Sequence, residues 1–90
     1  MIIEKLSFVI SPPDRLEDFV EADAEIWDPW LRNQRGFLRK TYQRYPGGRL
    51  DLRIFWCSQR DLDDASKSPE IPALDVRLRA RFLGVYNRLP

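Results

Sequence analysis

Asp23 is the residue whose placement speaks most directly of chemistry, a carboxylate one helical turn after Phe19 and one before Trp27 in a stretch of otherwise apolar positions. A carboxyl group on such a stripe has two physical explanations. It is paired across the helix-sheet boundary with Lys40, an arginine or Tyr42, or its environment is arranged for acid-base or substrate-anchoring work. In the second case Asp23 and Tyr42 are the candidate catalytic residues, handling protons in a cleft between helix and sheet. Trp27, Trp30 and Trp56 are the candidate ligand-binding residues, because flat aromatic walls suit a planar phenolic or quinone ligand; the same large side chains could equally fill a small core. Chemistry through histidine is excluded outright, since the chain contains none, and with it go Ser-His-Asp and Cys-His nucleophiles and His-ligated zinc or haem. Cys57, the single cysteine, lacks a base to activate it and reads as an ordinary packed thiol. Asp61, Asp63 and Asp64 lack the glycine and terminal glutamate of a calcium loop and read as a solvated helix face. No metal site and no cofactor is expected.

The ninety residues that must position these groups suffice for one domain, 1–90, which buries about 60–65% of its unfolded surface. With 43% hydrophobic and 32% charged residues the composition is globular, and the longest apolar runs are too short to cross a bilayer. A net charge of +1 offers no field for nucleic acid or anionic lipid. Charge is instead segregated along the chain. Residues 1–30 hold eight acidic groups against two basic, residues 31–60 hold eight basic against one acidic, and residues 61–90 hold five of each. In a small domain these blocks imply an acidic helix lying across or beside a basic sheet. The basic stretch from Arg32 to Arg53 carries Tyr42, Tyr45 and Phe55 but no aromatic RNP pattern, so neither nucleic acid nor membrane is an expected partner. One cysteine and no basic-then-apolar leader point to a cytoplasmic protein.

Alternation predicts a strand over 2–10, with Ile2, Leu6, Phe8 and Ile10 on one face and Glu4 interrupting it. Ser11-Pro12-Pro13-Asp14 ends that strand and starts a helix whose inner stripe is Leu16, Phe19, Val20, Ile26, Trp27 and, if it continues, Trp30 and Leu31. Glu17, Asp18, Glu21, Glu25 and Asp28 form its solvated back, and Pro29 is expected to break or kink it. Strands follow over 37–45 and 50–57, joined by a three-residue loop at Pro46-Gly47-Gly48 that sets Leu38, Lys40 and Tyr42 beside Leu52, Ile54 and Trp56. Ser58 and Asp61 have capping-box spacing, which predicts a short helix over about 59–66. Residues 73–83 fit both periods; good helix formers and Gly84 as a stop favour a helix.

This order is that of an α+β, ferredoxin-like domain with two helices on one face of an antiparallel sheet. Phe55, Val9 and Ile3 among the charges of the opposite face suggest a homodimer closed face to face into an α+β barrel.

Trp56-Cys57-Ser58 and the residues after it resemble the antibiotic biosynthesis monooxygenase family of dimeric α+β barrels. There a Trp ending the third strand is followed by Ser two on, Leu six on, His nine on, Ser-Pro twelve and thirteen on and an aromatic fifteen on. Trp56, Ser58, Leu62, Ser68-Pro69 and Ile71 keep that spacing, with Ala65 in place of the His. Ile3-Glu4-Lys5-Leu6, Pro12-Pro13, Asp23-Ala24-Glu25-Ile26-Trp27 and Gly36-Phe37-Leu38 resemble a short cyanobacterial branch of the superfamily, and the likeness covers roughly residues 2–72. It implies a ferredoxin-like dimer and, in some members, cofactor-free oxygenation of polycyclic phenols or oxidative haem breakdown. Without the His, haem breakdown is not expected here, and with six residues after Gly84 the family's fourth strand should be short or missing. Two functions follow: a cofactor-independent monooxygenase or isomerase acting on an aromatic or lipophilic small molecule, or a noncatalytic dimeric module that binds a ligand or partner.

Overall fold

The computed structural model describes all residues, 1–90. Alternation makes strand β1 from Ile2–Ile10, and the prolines that follow set a single 3-10 turn before helix α1, Leu16–Arg32. Strand β2, Phe37–Tyr45, turns through Pro46–Gly48 into β3, Arg49–Trp56. Helices α2, Gln59–Ser66, and α3, Ile71–Arg81, lead to β4, Tyr86–Arg88. The four strands form one antiparallel sheet in the order β2-β3-β1-β4, with helices on one face, and the fourth strand is short, as expected.

The three-residue hairpin loop holds, pairing Tyr45 with Arg49, Tyr42 with Leu52 and Lys40 with Ile54. Leu38 does not sit beside Trp56, however. A bulge between Phe37 and Arg39 gives that place to Phe37 and leaves Leu38 49% exposed, because an extra residue reverses the faces beyond it. Facing the helices, the sheet floor is three rows: Ile2-Trp56-Phe37, Glu4-Ile54-Lys40 and Leu6-Leu52-Tyr42.

Pro29 does not break α1. Only three helical residues follow it, so a single ladder bond is lost, to the carbonyl of the exposed Glu25, where water can replace it. Beyond it Leu31, 2% exposed, is buried for a gain of about 1.5–3 kcal/mol, comparable to the ~3 kcal/mol of an interior proline. Asp28 also departs from expectation: rather than standing in solvent it accepts from Lys40 Nζ at 3.0 Å. Residues 71–81 are helical because the stripe of Leu74, Leu78, Phe82 and Val85 meets the core, while Val76 of the competing alternation is 63% exposed. Ser58 caps α2 as predicted, its Oγ accepting from the Asp61 amide at 3.2 Å.

The acidic helix docks on the basic strand through Glu17–Arg44 at 2.6 Å and through Asp23 and Asp28 on Lys40. On the open sheet face Ile3 is exposed and Val9 half-buried, but Phe55 is buried beneath the Arg39 guanidinium, 4.3 Å above its ring. That face holds a buried Asp51 bonded by Ser7 and flanked by Lys5 and Arg49. Cys57 is exposed, not packed, because β3 ends one residue earlier.

Candidate functional site

Between α1 and the sheet, closed at one side by α2, α3 and β4, lies a cavity of about 510 Å³, room for a bicyclic ligand. Its apolar wall is Trp27 and Trp30 from α1, Leu52, Ile54 and Trp56 from β3, and Leu62 from α2. All three tryptophans singled out by their spacing meet here. Trp27 and Trp30 stand edge to face with centroids 5.8 Å apart. The Trp30 indole N–H donates to Ser68 Oγ at 3.3 Å and that of Trp56 to Glu4 Oε1 at 3.2 Å, so both rings are fixed by hydrogen bonds as well as packing. Ala65 is buried in the same wall, where its methyl leaves space that a larger side chain would take.

Asp23, 5% exposed, reaches the cavity from the middle of α1. Its Oδ2 accepts from the Lys40 ammonium and, at 2.7 Å, from the Tyr42 hydroxyl, so both partners foreseen for it are present together. Lys40 is nearly as buried as Asp23 and lies 5.1 Å from the Tyr42 ring centroid, and Asp28 is its second carboxylate. Burial pushes the Tyr42 phenol far above its ordinary value, and the negative charges of Asp23 and Asp28 push it further. Tyr42 is therefore a neutral donor at physiological pH. Its ring packs against the core, and it touches the cavity through Asp23, not directly. Both bonds fall on Oδ2, and Asp23 Oδ1 makes no hydrogen bond within the protein.

Several polar groups of the wall lay beyond the sequence reading. Glu4 faces the cavity from β1, and its signal was there: a carboxylate interrupting the inward alternation. Asp75, Arg79, Tyr86 and Arg88 close the far end. They come from α3 and β4, where two periodicities compete and the strand has three residues, so no pattern marks them. No three histidine, cysteine or carboxylate side chains gather as metal ligands. No helix is long and apolar enough to cross a membrane.

The fold and site define a class: a ferredoxin-like α+β domain whose helices and sheet enclose an aromatic-walled cavity with a buried carboxylate. Solved structures with this fold include antibiotic biosynthesis monooxygenase-like proteins. A monooxygenase of Streptomyces coelicolor, in complex with the ligand nanaomycin D, superposes with a TM-score of 0.75 at 20% identity over 97% of this chain and 81% of its own. SnoaB, a cofactor-independent oxygenase of Streptomyces nogalater, gives 0.67 at 18% over 97% and 84%. An assigned antibiotic biosynthesis monooxygenase of Bordetella bronchiseptica gives 0.67 at 18% over 97% and 91%. No protein-family model matches the chain, and no curated protein matches it in sequence.

Proposed function

We propose that this protein is a cofactor-independent, monooxygenase-like enzyme acting on an aromatic or lipophilic small molecule bound between α1 and the sheet. The observation that carries the reading is the cavity itself, about 510 Å³, walled by Trp27, Trp30 and Trp56 and entered by the Asp23 carboxylate. A domain this small would ordinarily use such large residues to fill its interior. The tryptophans hold the ring of the substrate. Asp23 Oδ1 accepts a phenolic proton while Lys40 and Tyr42 hold the carboxylate in place through Oδ2. The phenolate then supplies the electrons for dioxygen: one oxygen atom enters the ring, and the other leaves as water with two hydrogens of the substrate, so no other reductant is required. Neighbours that include a cofactor-independent oxygenase and a monooxygenase holding nanaomycin D support this reading at the level of fold.

The protein works as a homodimer in the cytoplasm, joined through the open sheet face where Ile3 and Val9 remain uncovered. The spacing of Asp23-Ala24-Glu25-Ile26-Trp27 and Gly36-Phe37-Leu38 supports placing it in the short branch of the superfamily that includes cyanobacterial members. A second reading, a noncatalytic dimeric ligand- or partner-binding module, is favoured by the absence of histidine and by a Tyr42 hydroxyl already committed to Asp23.

Oxygen uptake with dihydroxynaphthalenes separates the two. Uptake matched by quinone formation, and lost in Asp23→Asn, is the expected result. Saturable binding without uptake selects the module, and native mass spectrometry of the purified protein identifies the molecule it carries.

A further inference from the structure

The cavity is polarised. Glu4 and Asp23 bring carboxylates to its β1–α1 side, where the one cation, Lys40, is taken up by Asp23 and Asp28, whereas its α3–β4 end carries Arg79, Tyr86 and Arg88. Tyr86 pairs with Ile10 and Arg88 with Phe8, so the two β4 residues share the inward face of the sheet, and both belong to the cavity wall. Arg88 makes no ion pair. The Tyr86 hydroxyl is shielded from solvent and has no hydrogen-bond partner. Its ring is fixed by Phe8 and Phe19, with centroids 6.0 and 4.9 Å away. Asp75, the one carboxylate at this end, accepts from Arg79 Nε at 2.8 Å and is thereby neutralised. Burial, and then the charge of Asp75, push the Tyr86 phenol up, so it remains a donor.

We propose that this end is an anion-binding mouth, in which Arg88, helped by Tyr86 of the same wall, takes the carboxylate of an amphipathic ligand whose apolar body lies against the tryptophans. The proposal rests on the ligand-binding reading above and adds an orientation and a ligand class, a lipophilic or aromatic acid. An unpaired guanidinium presents a planar fork that fits a carboxylate, and the unpartnered Tyr86 hydroxyl in the same wall is a further donor without an acceptor. The reverse orientation is disfavoured by charge. Glu4 lies four residues along β1 from Phe8, the cross-strand neighbour of Arg88, a separation of about 13 Å, and an anion placed there would meet the unneutralised Glu4 carboxylate, the Lys40 ammonium being held by Asp23 and Asp28.

Equilibrium dialysis with 2-naphthoate and its neutral near-isostere 2-acetylnaphthalene tests the proposal on the wild-type protein, Arg88→Gln, Tyr86→Phe and, as a control outside the wall, Arg60→Gln. Arg88→Gln should weaken 2-naphthoate by about tenfold and change 2-acetylnaphthalene by no more than about twofold, the loss expected for a charge-assisted hydrogen bond at a partly solvated site. Tyr86→Phe should weaken 2-naphthoate by several-fold, roughly one neutral hydrogen bond, while its melting temperature stays level or rises as the unpaired hydroxyl disappears. Arg60→Gln should leave both ligands unchanged. If both ligands bind and Arg88→Gln affects them equally or not at all, the anion mouth is refuted and the cavity reading stands. If neither ligand binds the wild type, the cavity reading falls and takes the mouth with it.

Discussion

Replacing Asp23 with alanine removes the group on which a buried ammonium and a buried phenol both converge. Lys40 is 5% exposed at its side chain, and losing one partner of a fully buried pair costs roughly 3–5 kcal/mol. The lower end applies here, because Asp28 still accepts from Lys40 at 3.0 Å and is itself 26% exposed, close enough to water for the pair to relax. Tyr42 loses its acceptor as well, but it is only half-buried, so about 3 kcal/mol is the expected total. Against a stability of roughly 5–13 kcal/mol for ninety residues this is severe, and at about 4–8 °C per kcal/mol it lowers Tm by about 12–24 °C. Asp23→Asn keeps an acceptor for Tyr42 and should recover about 1 kcal/mol of the loss. Asp23→Leu leaves Lys40 equally short of a partner but adds a buried side chain worth about 1.5–3 kcal/mol, so its net loss should be no more than about 1.5 kcal/mol, a drop in Tm of at most about 12 °C. Thermal melts of the three variants at neutral pH give the order: wild type, then Leu, Asn and Ala. If Ala and Leu both melted at or above wild type, the pairing argument would be refuted. Asp23 would then be a carboxylate held at the expense of stability, and the first residue to assay for turnover.

Gly47 and Gly48 share nearly the same left-handed φ, +80° and +81°, but a Cβ on Gly48 would strike the Ile10 carbonyl whereas one on Gly47 meets open space. Gly47→Ala should therefore cost about 1 kcal/mol and Gly48→Ala at least about twice that by chemical denaturation; equal losses would show that the Ile10 contact relaxes freely. Asp51 is held below the usual carboxylate range, first by the Ser7 hydroxyl it accepts from and then by the charges of Lys5 and Arg49. A depressed folded-state value means a contribution to stability that is full above about pH 4 and lost as pH falls through it, so Asp51→Asn should be less stable than wild type at neutral pH and should converge with it in acid. A gap that stays constant with pH would contradict this assignment. Sedimentation at micromolar concentration should give about twice the 10.7 kDa chain mass; a clean monomer would remove the face-to-face barrel. Haem titration should give no sharp, stoichiometric Soret complex, since the chain contains no histidine to ligate the iron; a tight complex that turns over with a reductant would overturn that expectation.

What the sequence made legible follows from which physical signals are local. The first strand, the capped α2 and the hairpin loop each depend on a period or a turn chemistry contained within a few residues. The segregation of charge carried one longer-range message, that an acidic helix meets a basic strand, and Lys40 between Asp23 and Asp28 is its realisation. The misplacements share a different cause. Pro29 inside α1 is tolerated because of where the helix ends, the Phe37–Arg39 bulge sets Phe37 rather than Leu38 beside Trp56, and Phe55 is buried because Arg39, its partner on the adjacent strand, covers it. Each is decided by a tertiary neighbour, which no window of residues contains.

The same division explains the site. Asp23 and the tryptophans were visible because they break or overfill a helical stripe, a conflict between local pattern and local chemistry. Glu4 produced the same conflict in a strand: a carboxylate at an inward position of β1, held by the Trp56 indole, with no cation bonded to it. Arg88 and Tyr86 broke nothing, since a short strand at a sheet edge places few demands on its residues, and their meaning arises only when α3 and β1 enclose them. An inward carboxylate on a strand therefore carries as much information as one on a helix. In the proposed reading Asp23 marks the side of the cavity that receives a proton, while the patternless β4 supplies the side that holds the ligand's charge.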